Sequence, residues 1–249
     1  MDSAHKLHQP LKTAIPMSEP SVKTAALPEN RVLVRLFALE STGSPERFAK
    51  WLDAQEMARA ASFSSPEAQS RFASCRSTVK RLLAPLTGTA PSEMHFQTNE
   101  HGKPYLDAPF FNYANTRTHG ALAVCGSAPV GLDLEDTTRR CSIPALMRLF
   151  HPKEREQLGR LSADDLREAF FTLWVRKEAV MKADGRGLSI GVGNICADCA
   201  AGNETVTILS RQGVPESLWR VPVRRIGRLA LAVAVPLGRP ELTIQFPDA

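Results

Sequence analysis

The segment from Ser162 to Gly185 constrains the fold most, because its apolar residues recur close to the period of an α-helix. Ser162, followed three residues later by Asp165, is typical of a capped helix start. The apolar residues of the stripe are Leu166, Phe170, Leu173, Val180 and Met181. Gly185 stands where a glycine commonly follows the last helical residue. The pattern therefore predicts one long amphipathic helix over 164–183.

One stripe of this helix carries polar groups. Trp174, Glu178 and Lys182 are spaced by four residues, so their side chains stack along one face, with Lys177 beside them. A carboxylate one turn before an ammonium, followed by a flexible Gly-Arg-Gly turn, suits a metal-bound phosphate. The alternative is an exposed Glu–Lys pair that stabilises the helix by only roughly 0.2–0.5 kcal/mol.

A second polar motif lies at 129–135, where P-V-G-L-D-L-E alternates with the period of a strand that has one buried face. Side chains two residues apart share a face of a strand, so Asp133 and Glu135 lie about 7 Å apart along it. Two such carboxylates repel each other unless a cation lies between them. Mg²⁺, bound by these carboxylates and by substrate phosphate oxygens, would satisfy both. The alternative is a strand that ends in solvent, since polar residues follow at 136–138.

The two motifs occur together in one known family. G-L-D-L-E at 131–135, followed by W-x-x-K-E-A-x-x-K-x-x-G-x-G-L at 174–188, resembles the large, single-chain 4'-phosphopantetheinyl transferases of the surfactin-synthetase-activating type. The resemblance covers roughly residues 45–190. It implies an α+β fold of two pseudo-twofold-related halves with antiparallel sheets, and coenzyme A in the cleft between them.

The resemblance also implies an activity. The family transfers the 4'-phosphopantetheine arm of coenzyme A to a serine of an apo acyl- or peptidyl-carrier protein and releases adenosine 3',5'-bisphosphate. Asp133, Glu135 and Glu178 would hold Mg²⁺, or Mn²⁺ in its place, on the pyrophosphate. Asp133 and Lys182 would contact the coenzyme, and Lys182 would stabilise the charge that develops on the phosphates. Glu178 would also take the serine proton, so its role as ligand or as base stays open.

Further coenzyme contacts are implied in the first half of the chain. R-F-A-S-C-R-S-T-V-K at 71–80 matches the basic segment of the family, which places Arg76 and Lys80 at the coenzyme phosphates. A solvated helix face is the alternative for these cations. N-E-H-G-K-P-Y-L at 99–106 matches the segment beside the adenine nucleotide. Its coenzyme contacts would be Gly102, Lys103 and Pro104.

One motif departs from the family pattern. The family usually shows F-N-x-S-H-S, whereas 111–117 reads F-N-Y-A-N-T-R, so Asn115 stands where a histidine lies near a coenzyme phosphate. Asparagine donates a hydrogen bond but carries no charge. Arg117, beyond Thr116 in the same contact segment, would replace the lost positive charge. We expect the departure to affect coenzyme affinity and its pH dependence more than the chemistry.

Composition limits the remaining classes. Hydrophobic residues make up 43% and charged residues 23%, which is typical of a globular protein. The net charge of +5 favours an anionic partner such as an acidic carrier domain, but no dense basic run indicates a nucleic-acid tail. With no membrane span or signal-peptide core, we expect a cytoplasmic monomer that binds neither nucleic acid nor membrane. The five cysteines, including the isolated pair Cys196 and Cys199, are predicted to stay reduced.

Three other functions stay open. A metal-dependent nucleotidyl or phosphodiester transferase would also use D-x-E, Mg²⁺ and a lysine, although the sequence contains no Walker-type phosphate loop. A basic nucleic-acid-binding module would need exposed aromatic residues among the cations, and aromatic residues are only 6% of the chain. A degenerate coenzyme-A-binding homologue is suggested by Asn115, whereas the intact acidic and lysine motifs favour an enzyme.

The order of predicted elements suggests an internal duplication. We predict a flexible leader over 1–30 and a first half over 31–128, with strands at 31–39, 94–98, 109–114 and 121–125 and helices at 45–60 and 67–83. The second half, 129–249, has strands at 129–135, 204–210, 217–223, 228–235 and 241–246, and a helix at 143–158 before the long one. A shift of 98 residues places Glu56 on Glu154 and Lys80 on Glu178. Two such halves would form a ligand cleft between them.

Overall fold

The computed structural model describes residues 27, 29–197, 202–239 and 241–247. Most of the predicted leader over 1–30, and Cys199 of the cysteine pair, lie outside these residues. Within the described ranges, no helix is both long enough and apolar enough to cross a membrane.

In the first half, one strand is followed by a helical segment and then by four more strands. Its strands are β1 (Arg31–Ala38), β2 (Gln97–Thr98), β3 (Pro104–Tyr105), β4 (Phe110–Asn115) and β5 (His119–Cys125). Its helices are a 3₁₀ helix (Pro45–Trp51), α1 (Ala54–Ala61), α2 (Pro66–Thr87) and a second 3₁₀ helix (Pro91–Glu93).

The second half contains the long predicted helix. Its helices are α3 (Ile143–Met147), α4 (Pro152–Gly159), α5 (Ala163–Asp184) and two 3₁₀ helices (Gly187–Ile190 and Val192–Asn194). Its strands are β6 (Gly131–Asp136), β7 (Ile195–Ala197), β8 (Thr205–Leu209), β9 (Pro215–Arg220), β10 (Val223–Ile226), β11 (Leu229–Pro236) and β12 (Thr243–Gln245).

The first sheet has the strand order β12-β1-β5-β4. Strands β1, β5 and β4 pair antiparallel, whereas β12 pairs parallel with β1, with Arg31 opposite Thr243. Strand β12 belongs to the predicted second half, 129–249, but it is part of the sheet formed by the first half.

The second sheet is built around β11. Strand β11 pairs antiparallel with β6, β9 and β10, and β9 continues through β8 to β7. Helix α5 packs against β6 and β11, where buried Phe170, Leu173 and Val180 enter the core beneath the sheet. The approach is close at Gly131, where an added Cβ would lie 2.0 Å from the carbonyl oxygen of Ala179. Helix α5 and strand β6, which carry the two sequence motifs, are therefore in direct contact.

The two sheets meet along β4 and β6. Asn112 of β4 is buried, and its Oδ1 accepts a hydrogen bond from the backbone N–H of Leu132 at 2.8 Å. Leu132 belongs to a core cluster that also includes Val32 of β1 and Leu231 of β11. The halves therefore share this apolar cluster, and β4 and β6 bring the ends of their motifs to the same junction.

The long helices of the two halves are built alike. Both α2 and α5 contain 22 residues and begin after a serine, Ser65 or Ser162, whose side chain accepts a backbone hydrogen bond. Both end at a left-handed glycine, Gly88 with φ 71° and Gly185 with φ 93°. These landmarks are 97 residues apart, so the predicted shift of 98 is out of register by one residue along the long helices.

A buried ion pair repeats in the same positions. Lys80 of α2 contacts Glu56, and Lys177 of α5 contacts Glu154 at 2.7 Å. Each glutamate occupies the third position of a short helix, where it completes a capping box. Both lysines are fully buried. The equivalent of Lys80 is therefore Lys177, and the predicted pairing of Lys80 with Glu178 is corrected.

Candidate active site

Strand β6 and helix α5 place Asp133 and Lys182 in contact. The Nζ of Lys182 donates to Oδ1 of Asp133 at 2.6 Å. Asp133 is only 6% exposed, and its second oxygen, Oδ2, is buried with no hydrogen-bond partner among the residues that the structure describes. Burial lowers the pKa of Lys182, but the charge of Asp133 and the hydrogen bond to it outweigh burial, and the pKa is raised. Lys182 therefore keeps its positive charge at the junction.

Glu178 lies one helical turn before Lys182 on the same face of α5. Its side chain is half-buried. Burial raises its pKa, and so do the neighbouring charges of Asp133 and Glu135, while Lys182 acts in the opposite direction. Three carboxylates therefore influence one another at this point, and Glu178 binds a proton more readily than an ordinary glutamate.

Glu135, two residues beyond Asp133, has both carboxylate oxygens engaged. Arg139 donates from Nε to Oε2 at 2.7 Å and from Nη2 to Oε1 at 3.0 Å. The indole Nε1 of Trp174 donates to Oε1 at 3.1 Å. Burial raises the pKa of Glu135, and the hydrogen bond to Arg139 opposes that shift. The predicted stripe of Trp174, Glu178 and Lys182 therefore faces Asp133 and Glu135 of β6.

The three predicted metal ligands are Asp133, Glu135 and Glu178. Their carboxylate oxygens are the ligand type that a hard cation prefers, but the three side chains are not arranged in a preformed coordination site. Across the described ranges, no group of three or more His, Cys, Asp or Glu side chains is arranged to hold a metal ion. However, the buried Oδ2 of Asp133 has no hydrogen-bond partner in the described ranges, and burial and the charges of Asp133 and Glu135 raise the pKa of Glu178. A divalent cation with oxygen ligands would relieve both conditions.

A cleft of about 400 Å³ adjoins Glu135. It is lined by Arg71, Asn115, Thr116, Arg117, Glu135, Asp136 and Arg139. Asn115 is exposed, and its Nδ2 donates to the carbonyl oxygen of Thr116 at 3.0 Å. The structure thus brings Asn115, Thr116 and Arg117, all predicted coenzyme contacts, into one cavity with a predicted metal ligand.

The two cations predicted on α2 lie elsewhere. Lys80 is fully buried and paired with Glu56 and Asp53, so we remove it from the predicted coenzyme contacts. The guanidinium of Arg76 is surrounded by aromatic rings and is largely covered. Its central carbon lies 4.8 to 5.7 Å from the ring centroids of Phe72, Phe96 and Tyr113. Arg76 is absent from the lining of the cleft.

The Gly-Lys-Pro turn reaches from the first half to the end of α5. Gly102 has a φ of +80°, which glycine adopts without strain, and Pro104 begins β3. The Nζ of Lys103 donates to the carbonyl oxygen of Ala183 at 3.3 Å. Burial lowers the pKa of Lys103 to about 8, although the charge of Asp184 opposes this. The turn therefore contacts the last residues of α5, directly after Lys182 in the sequence.

Sequence analysis overlooked two cleft residues and one connecting residue. Arg71 and Arg139 line the cleft, and Asn99 donates from Nδ2 to the carbonyl oxygen of Gly185 at 2.9 Å. Arg139 follows Glu135 by four residues, but spacing in a loop gives no direction to a side chain. Lys177, which lies beside the predicted polar stripe in the sequence, is instead buried and contacts Glu154.

The fold and site together define a class of protein. Two α+β halves meet at a junction where carboxylates and a lysine adjoin an arginine-lined cleft, an arrangement suited to a polyanionic substrate and a divalent cation.

Comparison with known proteins shows which family this chain is similar to. Residues 129–234, which include Asp133, Glu178 and Lys182, match the 4'-phosphopantetheinyl transferase superfamily. This region of the chain is therefore similar to that superfamily, and the resemblance inferred from its motifs is confirmed.

Three relatives show the extent of the similarity. A putative 4'-phosphopantetheinyl transferase of Synechocystis sp. is 31% identical over 153 residues, which cover 59% of this chain and 62% of the relative. The 4'-phosphopantetheinyl transferase HetI of Nostoc sp. is 32% identical over 57% of this chain and 62% of the relative. Sfp of Bacillus subtilis is 28% identical over 58% and 65%. The chain therefore matches less than two thirds of the length of each of these relatives.

Proposed function

We propose that this protein transfers the 4'-phosphopantetheine arm of coenzyme A to a serine hydroxyl of an apo acyl- or peptidyl-carrier protein. Adenosine 3',5'-bisphosphate is the leaving group. The contact of Lys182 with Asp133, one helical turn from Glu178, carries the proposal. It is supported by the position of these residues within the region that matches the superfamily.

The proposed chemistry requires charge neutralisation and alignment, because the serine oxygen attacks a phosphorus atom already surrounded by negative oxygens. Lys182, whose pKa is raised by Asp133, stays charged and neutralises the phosphates. Glu178, whose pKa is raised by burial and by Asp133, accepts the serine proton. Mg²⁺ or Mn²⁺ held by Asp133, Glu178 and Glu135 would supply further positive charge at the pyrophosphate.

The coenzyme would extend across the junction. Asn115, Thr116 and Arg117 would bind it in the cleft, and Gly102, Lys103 and Pro104 would bind it near the end of α5. Arg76 would contribute its stacked guanidinium from the first half. The net charge of +5 supports an acidic carrier protein as the second substrate. A cytoplasmic monomer that binds neither nucleic acid nor membrane completes the proposal.

The direct test is the intact mass of a panel of apo carrier proteins after incubation with the protein, coenzyme A and Mg²⁺. We expect a gain of one phosphopantetheine on at least one carrier, and no gain in the presence of a chelator. Binding of coenzyme A without transfer to any carrier would favour the degenerate homologue. Turnover of a nucleoside triphosphate would favour the nucleotidyl transferase.

The pKa of Lys103 leads to a pH prediction. Because this pKa is lowered to about 8, the ammonium loses its charge as the pH rises from 7 to 9. We expect the affinity for coenzyme A to fall over that interval, since a neutral amine attracts phosphates less. Titration calorimetry at several pH values would measure the change. Lys103→Arg, which keeps its charge, should remove most of it, and an equal loss in that variant would assign the pH dependence to another group.

A further inference from the structure

Arg139 is held more firmly than a surface arginine. Its Nε and Nη2 donate to the two oxygens of Glu135, and its central carbon lies 5.4 Å from the ring centroid of Phe171. Arg167 of α5 fixes the backbone of the same loop by donating to the carbonyl oxygens of Thr137 and Arg139, both at 2.7 Å. Both the backbone and the guanidinium of Arg139 are therefore positioned before any ligand binds.

One donor group of this guanidinium, Nη1, is available to a ligand. Within the part of the chain that the structure describes, Nη1 of Arg139 has no hydrogen-bond partner. Arg139 lines the same cleft as Arg71 and Arg117, and neither of these has a hydrogen bond or ion pair with a described residue. Asp136, the other acid of the cleft, is paired with Arg228 at 3.1 Å. Three guanidinium groups therefore face a cavity in which both carboxylates already have arginine partners.

We propose that Arg139 binds a phosphate group of coenzyme A and that Glu135, supported by Trp174, is its positioning residue. The inference rests on the proposed function and deepens it. Arg139, with Arg71 and Arg117, supplies the positive charge that Asn115 does not carry. Glu135 acts through Arg139 in coenzyme binding, whether or not it also contacts a metal ion.

The role of Glu135 can be separated from a role in metal binding, because the two predict opposite results without metal. Suppose that Glu135 only holds a metal ion. Replacing it by glutamine, in a buffer that contains a chelator, should then leave coenzyme binding unchanged or make it tighter, since a carboxylate repels phosphates. If Glu135 positions Arg139, the same substitution leaves the guanidinium without its carboxylate partner, so it must be ordered when the coenzyme binds. Coenzyme binding then becomes weaker, although a negative charge has been removed.

The experiment is titration calorimetry of coenzyme A with the full chain in EDTA. We expect Arg139→Gln to weaken binding about tenfold, as expected for the loss of a charged hydrogen bond. Glu135→Gln should weaken binding severalfold, and the double variant should bind like Arg139→Gln alone. Glu156→Gln controls for a lost carboxylate, because Glu156 is exposed and paired with Arg160, and it should bind coenzyme A as tightly as the wild type. Arg148→Gln controls for a lost surface arginine and should leave binding unchanged.

Two outcomes would overturn the inference while the proposed function stands. One is unchanged binding by Arg139→Gln, and the other is binding by Glu135→Gln as tight as that by the wild type. If Arg139→Gln fails to fold, Arg139→Lys keeps the charge but loses the fork, and it should still weaken binding measurably. A wild-type protein that neither binds coenzyme A in EDTA nor modifies any carrier would overturn both the inference and the proposed function.

Discussion

Replacing Asp133 by asparagine is expected to reduce the rate of phosphopantetheine transfer by about a thousandfold. Loss of one electrostatic contact to a transition state reduces reaction rates by amounts of this order. The substitution keeps the size of the side chain but removes the charge that Lys182 contacts at 2.6 Å. It also removes the largest charge effect that raises the pKa of Glu178, so this glutamate becomes a weaker base. Metal affinity should fall as well, because the substitution removes the negative charge of the carboxylate whose buried Oδ2 has no hydrogen-bond partner among the described residues.

The rate would be measured from time courses of carrier mass at saturating coenzyme A and Mg²⁺. Circular dichroism and the thermal unfolding midpoint would show that the variant is folded. Glu156→Gln is a matched control, since it converts an exposed carboxylate paired with Arg160 to an amide. It should transfer at close to the wild-type rate. If Asp133→Asn kept more than a third of the wild-type rate, the assignment of the site to this junction would be wrong.

The elements that carry the site could be predicted because their sequence signals are local. The alternation at 129–135 predicted a strand that is observed as Gly131–Asp136, and the helical period predicted 164–183 where α5 is Ala163–Asp184. A serine cap and a glycine stop fix the ends of that helix within a few residues. Their motif residues, Asp133 and Lys182, meet because β6 packs directly beneath α5.

Two predicted helices are interrupted, and in both the interruption has a local cause. The helix predicted over 45–60 is a 3₁₀ helix followed by α1, because Asp53 forms a new cap with Glu56. The helix predicted over 143–158 is divided into α3 and α4, because Pro152 cannot continue a helix and His151 caps the second one. Both signals are present in the sequence, but apolar periodicity alone does not reveal them.

The contacts that could not be predicted are those between distant residues. Whether a lysine on an amphipathic helix is solvated or buried depends on the partner that it meets, and Glu56 is 24 residues from Lys80. The pairing of β12 with β1 and the contact of Arg139 with Glu135 have no periodic signal. Alignment of the two serine caps and the two glycine stops, 97 residues apart, would have matched Lys80 to Lys177 and indicated that both are structural.

Replacing Lys177 by methionine is expected to reduce the free energy of unfolding by about 3–5 kcal/mol, the usual cost of removing one partner of a buried ion pair. The ammonium contacts Glu154 at 2.7 Å, and both side chains are buried. Lys177 also donates to the carbonyl oxygens of Val192 and Ile195, so its loss leaves further buried acceptors without that donor. Urea denaturation followed by circular dichroism would give the change.

The repeated arrangement provides the matched comparison. Lys80→Met removes the equivalent lysine of the first half and should cost a similar free energy, because Lys80 is equally buried and paired with Glu56. Arg160→Met breaks only the exposed pair with Glu156 and should change stability by less than about 1 kcal/mol. The double variant Glu154→Gln with Lys177→Met removes both charges and should recover part of the loss. A loss below about 1 kcal/mol for both lysine variants would contradict a structural role for the pair. A large loss confined to Lys177→Met would instead show that the second half, which carries Asp133 and Glu178, depends on its buried pair more than the first half does.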